Sequence, residues 1–104
     1  MIITNDIAQA VTNIVSGKLC AIPTETVYGL AGNAYSEAAV AKIFEAKNRP
    51  TFDPLIVHVA SHEMLEEVVD QVPMEYRALI QSFWPGPLTL LFQKSMRIPD
   101  LVTS

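Results

Sequence analysis

Cysteine is all but absent from this 104-residue chain: the one copy, Cys20, sits in the apolar run Leu19-Cys20-Ala21-Ile22. A disulfide framework is therefore excluded, a reducing compartment fits best, and Cys20 reads as a small buried apolar residue rather than a nucleophile. Histidine is nearly as scarce. His58 and His62 are separated by a strand–helix junction, and no second cysteine stands at ligand spacing, so a zinc site is not expected. No uninterrupted apolar stretch approaches the ~20 residues that a membrane helix needs. The start, Met1-Ile2-Ile3-Thr4-Asn5-Asp6, lacks the basic-then-apolar order of a signal peptide, and the cytoplasm is the expected compartment. A Gly-rich Walker loop is also missing, so a P-loop ATPase is not supported.

Basic charge is in short supply. Seven Lys and Arg stand against 11 Asp and Glu, and the net charge of −4 argues against a surface that coats nucleic acid. The cations that exist are grouped. Lys42, Lys47 and Arg49 fall in one stretch and Lys94 and Arg97 in another, whereas Glu63, Glu66, Glu67 and Asp70 concentrate elsewhere. Locally basic sites on an acidic protein point to a small anionic ligand.

Half the residues are hydrophobic, enough for one small domain with a core. Ile7, Ala10, Val11, Ile14 and Val15 repeat on one helical face, with Thr4 or Asn5 as the cap and Gly17 as the stop. Residues 19–22 read as a short, fully buried strand, and residues 24–34 as a polar, glycine-bearing connection. Ser36 caps a second helix with Ala39, Val40, Ile43 and Phe44 inward, ended by Arg49-Pro50. Residues 55–59 read as a second strand, and Ser61 begins a third helix with Met64, Leu65, Val68 and Val69 inward. A fourth helix over residues 74–83 is broken by Pro85-Gly86-Pro87, before a third strand at 88–92. The order α-β-α-β-α-α-β predicts a layered α/β fold. Three short strands make a thin sheet for so many helices. Ile98-Pro99-Asp100-Leu101-Val102-Thr103-Ser104 reads as a loop entering another element, so the chain is expected to be the front part of a longer domain.

Four places could carry chemistry. Pro23-Thr24-Glu25-Thr26-Val27-Tyr28-Gly29-Leu30-Ala31 leaves a buried strand toward a helix, where open α/β sheets bind ligands, and offers two hydroxyls, a carboxylate and a glycine. An ordinary solvated loop, with Tyr28 covering core, explains the same composition equally well. Lys47-Asn48-Arg49 ends a helix, where the dipole favours cations in any case. Followed by Pro50 and a Phe52-Asp53-Pro54 turn, the two cations would also aim an ammonium and a guanidinium into one cleft, as phosphate recognition requires. His58 sits in an apolar strand opposite Val57 and Val59, and taken alone reads as structural. Trp84-Pro85-Gly86-Pro87-Leu88-Thr89 reads as a packing corner.

Taken in order, Pro-Thr-Glu-Thr-Val-Tyr-Gly-Leu, Lys-x-Arg-Pro, Pro-Leu-Ile-Val-His and Phe-Trp-Pro-Gly-Pro-Leu-Thr resemble the YrdC-type threonylcarbamoyl-AMP synthases along nearly the whole chain. The resemblance implies an α/β, YrdC-like twisted open sheet flanked by helices, with residues 1–104 as roughly the N-terminal half of the domain. It implies synthesis of L-threonylcarbamoyl-AMP from L-threonine, bicarbonate and ATP, with Mg²⁺ accompanying the ATP and pyrophosphate released. The product feeds threonylcarbamoyladenosine modification of tRNA through downstream transferase proteins. By position, Thr26 and His58 match residues that contact threonine, and Lys47 and Arg49 match the pair that binds ATP phosphates and assists catalysis. Asp53 falls where the family commonly has Asn and contacts nucleotide; a carboxylate there would repel bare triphosphate but favour a Mg²⁺-bound form. A Ser-x-Asn motif that completes the family's ATP site is missing from the chain, which is therefore expected to be inactive alone. Two alternatives share the resemblance: a module binding double-stranded RNA or tRNA, and another carbamoyl-adenylate enzyme.

Overall fold

The computed structural model describes residues 3–50 and 53–103. The chain forms two compact units, one of residues 1–56 and 99–104, the other of residues 57–98.

In the first unit, α1 (Ile7–Val15) starts at Asp6, whose carboxylate accepts from the Ala8 amide at 3.0 Å. The cap is therefore Asp6 and not Thr4 or Asn5; Thr4 instead uses its hydroxyl to accept from the Asp6 amide at 3.0 Å. The expected stop is present. Gly17 takes φ 88°, and the Gly17 and Lys18 amides close back on the Ile14 and Asn13 carbonyls at 3.1 and 2.9 Å. The expected inward stripe of α1 is largely exposed: Ile7, Val11 and Val15 face solvent, while Ala10 and Ile14 are half-buried.

After α1 come β1 (Cys20–Ile22) and β2 (Gly29–Ala31), an antiparallel pair with Cys20 opposite Ala31 and Ile22 opposite Gly29. Two expectations change here. β1 is not fully buried, since Ala21 is exposed and Cys20 and Ile22 are half-buried. The Pro23-to-Tyr28 segment also turns into a strand rather than a helix, so it is a hairpin connection and not a strand-to-helix loop. Three residues beginning with glycine are too few to show period-2 alternation, which is why β2 was not readable.

The core of this unit lies on α2 (Glu37–Lys47). Ser36 caps it, its hydroxyl accepting from the Ala39 amide at 3.2 Å, and Glu37 and Lys47 occupy the ends that suit their charges. Ala39, Val40, Ile43 and Phe44 are all buried as their spacing predicts. Burial of each large side chain contributes about 1.5–3 kcal/mol relative to exposure. Val102, on the short helix α5 (Asp100–Thr103), completes this core, and the Val102 carbonyl accepts from the Leu55 amide at 2.9 Å.

In the second unit, α3 (His62–Val68) is capped by the Ser61 hydroxyl, which accepts from the Met64 amide at 3.1 Å. Leu65, Val68, Val69 and Ile98 are buried, but Met64 is exposed, contrary to expectation. Helix α4 (Met74–Phe83) occupies its expected span, and Tyr76 meets Phe92 edge-on with centroids 5.1 Å apart. The corner after α4 is fixed by a cis Trp84–Pro85 peptide and by the Trp84 indole donating to the Leu88 carbonyl at 2.9 Å.

The strands expected at 55–59 and 88–92 form no ladder among the described residues. Both segments keep the alternation of a strand: Leu55, Val57 and Val59 are half-buried between exposed Ile56 and His58, and Leu88, Leu90 and Phe92 alternate with exposed Thr89 and Leu91. Alternation follows from extended backbone, whereas a strand requires a hydrogen-bonded neighbour. In the second unit the pairing lies elsewhere, in the antiparallel bridge between Val69 and Lys94.

Candidate functional site

The end of α2 is built by a residue that the motif leaves unspecified. Asn48, between the two cations, adopts the left-handed conformation at φ 49° and ψ 41°. Its amide closes on the Glu45 carbonyl at 3.2 Å, and the Arg49 amide on the Phe44 carbonyl at 2.9 Å. This double closure is a Schellman stop, so the helix ends at Asn48, ahead of the expected break at Arg49-Pro50. Asn is among the few residues that take this conformation at small cost. The consequence for the site is directional. Lys47 stays on the last helical turn and is exposed, while Arg49 leaves the axis and becomes half-buried.

Arg49 then reaches forward. Its guanidinium donates to the Pro54 carbonyl at 2.9 Å, and the Asp53 amide donates to the Pro50 carbonyl at 3.1 Å, closing the segment on itself. Phe52, part of the expected turn, lies outside the described residues. Asp53 is half-buried. The Arg49 Nε is buried and has no hydrogen-bond partner among the described residues, a costly state for a charged donor. Arg49 lines a shallow groove of about 310 Å³ with Ala41, Phe44, Glu45, Asn48 and Leu101. Lys42 does not join this group, because its ammonium caps the end of α1 by donating to the Gly17 carbonyl at 3.2 Å.

Thr26 lies in the exposed connection between β1 and β2. Its amide donates to the Thr24 hydroxyl at 3.3 Å, and the two hydroxyl oxygens are 3.5 Å apart. Val27 and Tyr28 are about three-quarters exposed, so Tyr28 does not cover core. His58 belongs to the second unit and is exposed on the side opposite Val57 and Val59, as its place in the alternation predicts. A cavity of that unit, about 470 Å³, is lined by Glu63, Glu66, Glu67 and Asp70 with Arg97. Its sign is wrong for a triphosphate. His62 pairs with Glu66 at 3.1 Å, and no cluster suited to a metal ion exists among the described residues.

The fold and this site define a small α/β module with a helix that ends in two cations and a hydroxyl-bearing hairpin connection. The family model for Sua5, YciO and YrdC proteins, described as telomere recombination, matches residues 12–104, and the chain belongs to that family. All five candidate residues fall within the matched region. Among its relatives is a threonylcarbamoyl-AMP synthase of Pyrococcus abyssi, 55% identical over 87 residues that make up 84% of this chain and 26% of the relative. One of Bacillus subtilis is 49% identical over 90 residues, 85% of this chain and 26% of the relative. The chain thus spans about a quarter of the length of these two relatives. The solved structure of P. abyssi Sua5 complexed with L-threonine superposes with a TM-score of 0.90 at 52% identity, covering 93% of this chain and 28% of that one. A double variant of the same protein gives the same score and identity.

No helix among the described residues is long and apolar enough to cross a membrane.

Proposed function

We propose that this chain carries part of the active site of a threonylcarbamoyl-AMP synthase, which makes L-threonylcarbamoyl-AMP and pyrophosphate from L-threonine, bicarbonate and MgATP. The observation that carries this reading is the end of α2, where the Asn48 stop sends Arg49 off the helix axis while Lys47 stays exposed on the last turn. The names of the relatives and the L-threonine complex of P. abyssi Sua5 support the choice of substrates.

Each step has a demand that these residues can meet. The threonine amine must attack the carbon of bicarbonate as a neutral base, forming a carbamate with loss of water. Thr26 and His58 are the proposed contacts that hold the amino acid for this step. The carbamate oxygen then attacks the α-phosphorus of ATP, and the bond to the β-phosphate breaks with pyrophosphate as the leaving group. Lys47 and Arg49 would stabilise the negative charge that grows on the phosphates, as positioned cations do in phosphoryl transfer. No covalent nucleophile is required, because positioning two bound reactants supplies much of the acceleration. Magnesium would accompany the nucleotide, and Asp53, four residues beyond Arg49, is the carboxylate proposed to favour that form. The product is then an activated carbamate suited to transfer onto an adenosine of tRNA.

Pyrophosphate release by the protein that carries this chain tests the reading. Release that requires both L-threonine and bicarbonate is the expected result. Release without threonine, or none with all three substrates, would sink it.

A further inference from the structure

Thr24 has no role in the chemistry above, yet its side chain is the point on which the hairpin connection turns. Its hydroxyl oxygen accepts from the amides of Thr26 and Val27 at 3.3 and 3.2 Å, and its proton goes to the Val27 carbonyl. A hydroxyl has one proton and two lone pairs. These three contacts therefore fill its capacity. The Thr26 hydroxyl stands 3.5 Å from this oxygen, a contact at the outer limit of hydrogen bonding that leaves most of its capacity for a ligand. The Thr24 methyl faces Gly29 at the start of β2, 3.6 Å from where a side chain there would begin, while the hydroxyl faces residues 26 and 27.

We propose that Thr24 is a positioning residue that fixes the Thr26 amide and hydroxyl in the orientation needed to bind the L-threonine substrate. The proposal rests on the reading that Thr26 faces threonine. It makes two parts of one side chain separable. Thr24→Val keeps the shape and the methyl but removes the shared acceptor, and Thr24→Ser keeps the acceptor but removes the methyl.

The experiment measures binding of L-threonine and of ATP by calorimetry on the full-length protein carrying this chain, together with amide hydrogen exchange at Thr26 and Val27. In Thr24→Val, exchange at both amides should accelerate, and L-threonine should bind about tenfold more weakly, the scale expected when two amides lose a shared acceptor. ATP affinity should be unchanged, and Thr24→Ser should restore both readouts. Unchanged exchange in Thr24→Val overturns the proposal. So does equal weakening of ATP and threonine, which marks a general loss of structure, or failure of Thr24→Ser to restore binding. If the unaltered protein binds no L-threonine, the functional reading itself is wrong, while the exchange rates still decide whether Thr24 anchors the loop.

Discussion

Replacing Asn48 tests how the end of α2 builds the cationic site. Asn48 is the one non-glycine residue with positive φ among the described residues, and two closing hydrogen bonds depend on its conformation. Left-handed backbone costs an ordinary L-residue about 1–2 kcal/mol, less for Asn and almost nothing for Gly. Asn48→Ala should therefore destabilise the protein by about 1 kcal/mol, if the closing bonds at 3.2 and 2.9 Å survive. Asn48→Gly should be close to neutral, because relief of the left-handed cost offsets the greater freedom of the unfolded chain. Urea unfolding followed by circular dichroism reads both, as a lowered midpoint for Ala at constant slope and little change for Gly. The same pair predicts function. Ala should weaken ATP binding modestly, since the conformation that directs Arg49 becomes about 1 kcal/mol less favourable, and Gly should preserve it. Equal stability of the two variants, or a Gly variant as damaged as the Ala variant, would refute the account of the helix stop.

Three further outcomes follow from named contacts. Arg49→Ala should weaken ATP by about 1.5–3 kcal/mol, the value of a charge-assisted hydrogen bond, with Arg49→Lys recovering only part because an ammonium lacks the guanidinium fork; isothermal titration reads this. Asp53→Asn should raise affinity for metal-free ATP and reduce the dependence of nucleotide binding on Mg²⁺, measured by titration with and without chelator. Ile43→Ala should cost about 2–5 kcal/mol by urea unfolding, because Ile43 lies in the buried face of α2 and its loss leaves a cavity.

The helices were legible because helical signals are local. Ser36 and Ser61 cap the helices that they precede, Gly17 stops α1, and the spacing of Ala39, Val40, Ile43 and Phe44 marks the buried face of α2. Strands were less legible because a strand is defined by its partner. Residues 55–59 and 88–92 carry the alternation without a ladder among the described residues, while Gly29–Ala31 carries the ladder without alternation. The exposed stripe of α1 shows a similar limit: periodicity marks a face able to be buried, but what covers it is a tertiary fact. At the site, the cations were visible from residue type and from the turn that follows. The roles of Asn48 and Thr24 were not, since one rests on a backbone angle and the other on which amides a hydroxyl reaches.

The most direct test of the synthase reading is the fate of labelled bicarbonate. The protein carrying this chain is incubated with ¹³C-bicarbonate, MgATP and L-threonine, and the adenylate products are read by mass spectrometry. The account predicts an AMP adduct that contains both threonine and the labelled carbon, and that disappears when L-threonine is omitted. An adduct formed without threonine, or threonine attached to AMP without the label, would contradict it.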